Sequence, residues 1–246
     1  MAFDPASKGR LTRHDRGRFP GEGLFDRLGR AVCDAGVLPR KELFEAWEVA
    51  RRIRRRRRGG RVVDVGGGHG LLAHVMLLLD DSSPDAVVVD PSRPPSSDAL
   101  ARALTTSWPR LAGRVRWIEA PLESVALDRT DVVVSSHACG ALTDQVLDAA
   151  ASAGAAVAVL PCCHDDETCD PGPLRGWMDV ALAIDTMRAI RLEARGYQVW
   201  TQRIPAAITP KHRLLVGLPA SRRPVSATSG VSAGRAARCP PPGRIP

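Results

Sequence analysis

Between residues 61 and 218 the chain alternates short, continuous apolar runs with longer stretches whose apolar positions recur every three to four residues. The runs predict strands buried on both faces, and the longer stretches predict the helices that cover them. Strands are expected at 61–65, 86–90, 114–118, 131–135 and 155–160. Helices fall at 71–79, 97–108 and 142–151, and a longer one at 177–195 stops at Gly196, a natural helix terminator. Segments 197–204 and 213–218 read as a late antiparallel pair of strands joined by 205–212. Five strands alternating with helices, plus that pair, predict an α/β fold: a Rossmann-like seven-stranded sheet with helices on both faces.

Upstream, 24–38 and 40–53 read as two helices. The second follows Pro39 and places Leu43, Phe44, Trp47 and Ala50 on one face. Together they predict a small N-terminal helical extension, 21–60, ahead of a main domain at 61–218. Residues 1–20 lack apolar periodicity and are expected to be a disordered basic N-terminus. Residues 219–246, rich in Pro, Gly, Ser and Arg, are expected to be a disordered tail.

The net charge of +8 is unevenly spread. Residues 1–61 carry 17 basic and 8 acidic side chains, and 219–246 carry 5 Arg and no acid, so the central 62–218 is left acidic. No apolar run reaches the roughly 18 residues of a membrane span. The charged N-terminus lacks the apolar stretch of a secretory signal, and Asp4 and Asp15 speak against a transit peptide. Six Cys, two of them adjacent, do not make a disulfide framework, so a cytoplasmic location is expected.

The chemistry concentrates at strand ends. The first strand delivers Asp64 into Asp64-Val-Gly-Gly-Gly-His-Gly70, and the second ends on Asp90. Gly66, Gly68 and Gly70 allow a tight turn with backbone close to a ligand. Their G-x-G-x-G spacing is one residue shorter than the dinucleotide fingerprint. An acid at the first strand end suits a cationic ligand, and Asp90 suits ribose hydroxyls. S-adenosylmethionine combines an amino acid, a sulfonium, a ribose and an adenine, and is the expected cofactor. A nucleotide or nicotinamide cofactor is the alternative. By position, adenine contacts fall at Glu119 or near Leu122, although Glu119 also reads as a solvated acid. His69 and His74 read as structural or cofactor-lining.

Two further segments follow strands four and five: Ser135-Ser-His-Ala-Cys-Gly-Ala-Leu-Thr-Asp144 and Leu160-Pro-Cys-Cys-His164. With the glycine turn, they resemble one branch of the class I S-adenosylmethionine-dependent methyltransferases. That branch carries His-x-Cys-Gly-x-x-x-Asp and Pro-Cys-Cys-His segments and includes eukaryotic tRNA acceptor-stem 2′-O-methyltransferases and methyltransferase-like proteins. Residues 208–215 add to the resemblance, which covers about 40–218. It implies a methyltransferase fold and an RNA acceptor.

Ligands in open parallel sheets bind at the carboxyl ends of the strands, so 135–140 and 161–164 should flank the transferred methyl. Methyl transfer needs an aligned nucleophile and a group to take its proton, which His137 is suited to do. Cys139, Cys162 and Cys163 read either as small core residues, as metal ligands together with His164, or as a covalent nucleophile. Their spacing matches no zinc pattern, so no metal is expected. His137 and His164 each allow an acid–base or a hydrogen-bonding role. Asp144 either caps its helix or braces the His137 loop, and bracing is favoured.

Seven of the eight residues from Arg51 to Arg58 are Arg. On a helix they would cover every side, which suits either a solvated segment or phosphate binding. Basic flanks around an acidic core fit a tRNA or rRNA acceptor held from outside the pocket. Ten aromatic residues offer no obvious stacking platform. A protein or small-molecule acceptor, or a non-catalytic binding module, are the competing readings.

Overall fold

The computed structural model describes residues 3–220. Five parallel strands form one side of a single sheet: β1 (Val62–Val65), β2 (Ala86–Val89), β3 (Val115–Ile118), β4 (Val132–Ser135) and β5 (Ala156–Val159). Antiparallel β6 (Tyr197–Arg203) and β7 (Arg213–Pro219) complete it in the order β3-β2-β1-β4-β5-β7-β6. All seven predicted strands form, with ends within a residue or two of the expected positions. Pro219 closes β7, so the expected tail begins later than 219; its remainder from 221 lies outside the described residues.

Helices α1 (Leu24–Ala35), α2 (Arg40–Arg54), α3 (Leu71–Leu79), α4 (Ser97–Ser107), α5 (Ala141–Ala153) and α6 (Val180–Ala194) flank the sheet. Successive strand residues point to opposite faces, so each strand feeds two cores. Val62, Val88, Val132 and Val134 join α1 to α4 in one core, whereas Val63, Val65, Val133 and Val157 join α5 in the other. The helices at 24–54 are therefore part of the main core rather than an appended unit.

The N-terminal segment departs from its expectation of disorder. Leu11 is 0% and Phe19 2% exposed, and the backbone of Leu11 donates to the carbonyl of Leu38 at 2.9 Å. The Phe19 ring occupies the space left by Gly29, where an added Cβ would stand 2.3 Å away. Two such anchors hold the segment without producing any apolar period.

The arginine run also differs from a uniformly charged helix. Its helix ends at Arg54, whose buried guanidinium pairs with Asp80 at 3.1 Å and donates to Ser83 Oγ at 2.7 Å. Arg51 and Arg52 pair with Glu48, Arg58 with Asp80, and Arg56 stacks over Trp200.

Candidate functional site

The strand order creates the site. After β1 the chain passes into α3 on one face, and after β4 it passes into α5 on the other. The loops following β1 and β4 therefore part at the carboxyl edge and leave a crevice, the usual ligand position in such sheets. The two loops touch at its base. Ser135 Oγ donates to the Val65 carbonyl at 2.7 Å, and the Ala138 amide donates to Ser135 Oγ at 3.0 Å.

Gly66, Gly68 and Gly70 all adopt left-handed φ, of 64°, 48° and 74°. At Gly68 an added Cβ would meet nothing within 4 Å, so this turn of backbone faces open space that a ligand can fill. At Gly67 a Cβ would stand 2.7 Å from the Asp64 carboxylate, so side-chain absence there lets the acid lie beneath the turn. Asp64 is 1% exposed; its Oδ2 accepts from the Ala73 amide at 3.1 Å, while Oδ1 has no partner. Burial, with Asp90 nearby, lifts its pKa to about 7. Asp90 Oδ2 accepts from the Gly68 amide at 3.1 Å, so both expected acids lie against the same turn.

Trp117, on β3, supports the turn from below and donates from Nε1 to the Gly68 carbonyl at 3.2 Å. His69 is bonded to Ser96 Oγ at 2.9 Å, and buried His74 to the Gly70 carbonyl at 2.7 Å, which makes the latter structural. Glu119 is exposed on the loop after β3, as a solvated acid would be.

A small recess joins Asp64, Gly67 and His69 to Ser136 and His137, with Glu42 and Ala46 of α2 as its far wall. His137 is exposed on one side, yet the protein around it still desolvates its ring, and Lys41 adds positive charge. Both effects hold its pKa below the ordinary histidine value. Burial and neighbouring Glu45 raise Glu42 to about 6. The sequence reading missed Glu42, because nothing in an amphipathic helix start marks one acid as facing a crevice.

Cys139, Cys162 and Cys163 are not core residues. Cys139 and Cys163 are exposed and Cys162 is half-buried, and the Sγ atoms of Cys139 and Cys162 lie 2.7 Å apart. His164 does not join them. Its side chain is 2% exposed and its Nε2 is hydrogen-bonded to Asp185 Oδ1 at 2.8 Å, the hydrogen-bonding arrangement of the two expected for it. Asp144 also turns away from the crevice and pairs with buried Arg188 at 2.7 Å. Arg188 in turn donates to the Gly140 carbonyl at 3.0 Å, so the bracing of the His137 loop runs through an arginine that sequence reasoning had not singled out.

Residues 42–168 match the family model described as "Methyltransferase domain". The chain belongs to that family. The matched span contains the glycine turn, both strand-end acids, His137 and the three clustered cysteines. The domain is thus an S-adenosylmethionine-dependent methyltransferase domain, and its residues fit that cofactor. The unpartnered buried oxygen of Asp64 suits a cation, Asp90 stands at the second strand end, and Gly68 faces free space. No curated protein matches the chain significantly. Among solved structures, the chain is similar to an O-methyltransferase family protein from Burkholderia thailandensis, at 19% identity and a TM-score of 0.46 over 86% of this chain and 64% of that one. It is also similar to the S-adenosylmethionine-dependent methyltransferase SibL, at 21% and 0.48 over 86% and 66%. A third is human N-acetylserotonin methyltransferase in complex with SAM, at 15% and 0.44 over 86% and 64%. The chain therefore spans just under two thirds of the length of these proteins.

Proposed function

We propose that the chain methylates an RNA, with the acceptor atom entering beside His137. The observation that supports methyl transfer is the acid–glycine–acid turn with an unpartnered carboxylate oxygen beneath it. Asp64 and the backbone at Gly66 to Gly70 would hold the amino-acid and sulfonium side of S-adenosylmethionine, and Asp90 its ribose. When bound, the cofactor supplies a methyl carbon already activated by its sulfonium. The chain's own residues then align the acceptor and take its proton. His137 is exposed toward the crevice and stays neutral near pH 7, as a base must.

A groove of about 980 Å³ lined by Arg56, Arg57, Arg129 and Thr130 supports the RNA reading. These residues precede β1 and β4, so the groove lies at the amino edge of the sheet, opposite the crevice. A small molecule cannot occupy both edges, whereas a polyanion many nucleotides long can. Phosphates at the arginines would contribute sequence-independent affinity while the crevice selects the reacting atom. Arg51, Arg52, Arg54 and Arg58 already have carboxylate partners; of the remaining Arg55, Arg56 and Arg57, the last two line this groove with Arg129.

The test is incubation with tritiated S-adenosylmethionine and, separately, total RNA, protein extract and a small-metabolite fraction. Label should enter RNA, and replacing Arg56, Arg57 and Arg129 with Gln should weaken RNA binding and flatten its salt dependence. Label confined to the protein or small-metabolite arm, with unchanged kinetics in the triple variant, would overturn the RNA reading and leave methyl transfer standing.

A further inference from the structure

Three thiols from two loops converge at the carboxyl edge, beyond the glycine turn. Cys162 lies 2.7 Å from Cys139 and 3.8 Å from Cys163 between Sγ atoms. All three sulfurs fall within 4.8 Å of one another, and among the described residues no carboxylate or imidazole joins the group. Exposed thiols gathered in this way gain little from packing, because free cysteines contribute as small hydrophobes only when buried.

The loops that carry them are fixed from below. The Gly140 amide donates to the Cys163 carbonyl at 3.2 Å, which ties one loop to the other. Arg188 holds Gly140 by its carbonyl, and the same guanidinium reaches Asp185, which anchors His164. The sulfurs therefore sit on a frame made rigid by buried ion pairs, which is how supporting partners orient metal ligands.

We propose that Cys139, Cys162 and Cys163 form a three-thiolate zinc site with its fourth position open. Zinc takes thiolate sulfur at about 2.3 Å in a tetrahedron, which separates neighbouring sulfurs by about 3.8 Å. The Cys162–Cys163 distance of 3.8 Å already meets that value. Cys139 must retreat from Cys162 by about 1 Å to match it, and its exposed position leaves room to do so. Binding replaces three S–H protons by one Zn²⁺ and releases those protons, so no oxidant is needed. Three protein ligands and an open fourth position are the pattern of reactive rather than structural zinc sites. The site stands two residues past His137, and an ion there would also fix the loop that presents that imidazole.

The experiment uses the full chain, reduced and freed of metal, and titrates it with Co²⁺ in the absence of cofactor. One equivalent should produce near-ultraviolet thiolate-to-cobalt absorption, with proton release, and Zn²⁺ should displace it. Cys139→Ser and Cys163→Ser should each weaken Co²⁺ binding by more than the roughly 10–100-fold that loss of a supporting partner costs. Both side chains are exposed, and unchanged S-adenosylmethionine binding would confirm that the variants fold. Absence of the thiolate band from reduced wild type would overturn the site, as would equal Co²⁺ affinity in wild type and Cys139→Ser. A Cys139–Cys162 disulfide found in a chain that takes up no metal when reduced would also overturn it and make the pair a redox couple. Metal uptake is read without cofactor or acceptor, so a failure of the methyltransferase reading would show separately, as loss of S-adenosylmethionine binding alone.

Discussion

Arg188 on α6 and Asp144 on α5 meet at 2.7 Å across the face of the sheet, with the guanidinium only 1% exposed. The same arginine pairs with Asp185 at 3.2 Å and holds the Gly140 carbonyl at 3.0 Å. One buried cation thus joins two helices and the loop that carries His137 and Cys139. Arg188→Met keeps the apolar stem but leaves two partly buried carboxylates short of a partner. Breaking a buried pair costs about 3 kcal/mol or more, which for a domain of this size lowers Tm by roughly 6–12 °C. Calorimetry checks this; a shift under about 2 °C would mean that Asp144 and Asp185 are satisfied by their other arginines.

Gly68→Val should abolish S-adenosylmethionine binding in calorimetry while circular dichroism still reports a folded chain. The added side chain would enter the open space before the turn, and its backbone there requires a φ of 48° that a β-branched residue resists. Normal binding by this variant would place the cofactor elsewhere.

Asp64 sets a pH dependence of stability whose sign is opposite to that of a salt-bridged acid. Its pKa is raised from 3.8 to about 7 by burial, so between these values the folded chain keeps a proton that the unfolded chain has lost. Stability from this group is therefore present below about pH 4 and falls as pH rises toward 7. Compared with Asp64→Asn, wild-type Tm should decline between pH 4.5 and 7.5 without cofactor. Parallel Tm profiles for the two proteins would show that Asp64 is ionised throughout.

His137→Ala should leave cofactor affinity near normal and reduce methyl transfer by about 10²-fold or more. The lowered histidine pKa places the acid limb of kcat/KM below pH 6.5, and that limb should vanish in the variant. An unchanged limb would assign the proton to another group, with Glu42, which lines the same recess, the candidate.

Much of this was legible in the residues because it rests on short-range rules. Apolar runs located every strand, and the acid–glycine–acid order located the turn. What escaped depended on distant pairings. Arg188 has no local signal, since one arginine on a helix reads as solvated until the opposing Asp144 is known. Cys139 and Cys162 are 23 residues apart, so their contact follows from neighbouring strands and from no spacing rule. Leu11 and Phe19 were read as part of a disordered leader because two isolated anchors leave no period. The arginine run was read as a solvated or phosphate-binding segment, although Asp80 and Glu48 claim four of its members.

The position of β7 bears on how the chain is made. It is the last strand of the described residues, yet it lies inside the sheet, hydrogen-bonded to β5 on one side and β6 on the other. A nascent chain can assemble β1 to β5 and their helices while β6 has no partner. The edge of β5 then stays open, a template for wrong pairing, until residue 219 has emerged. Completion of the fold thus waits for β7, and a ribosome stalled before it would hold a chain whose glycine turn is formed but whose sheet can still aggregate.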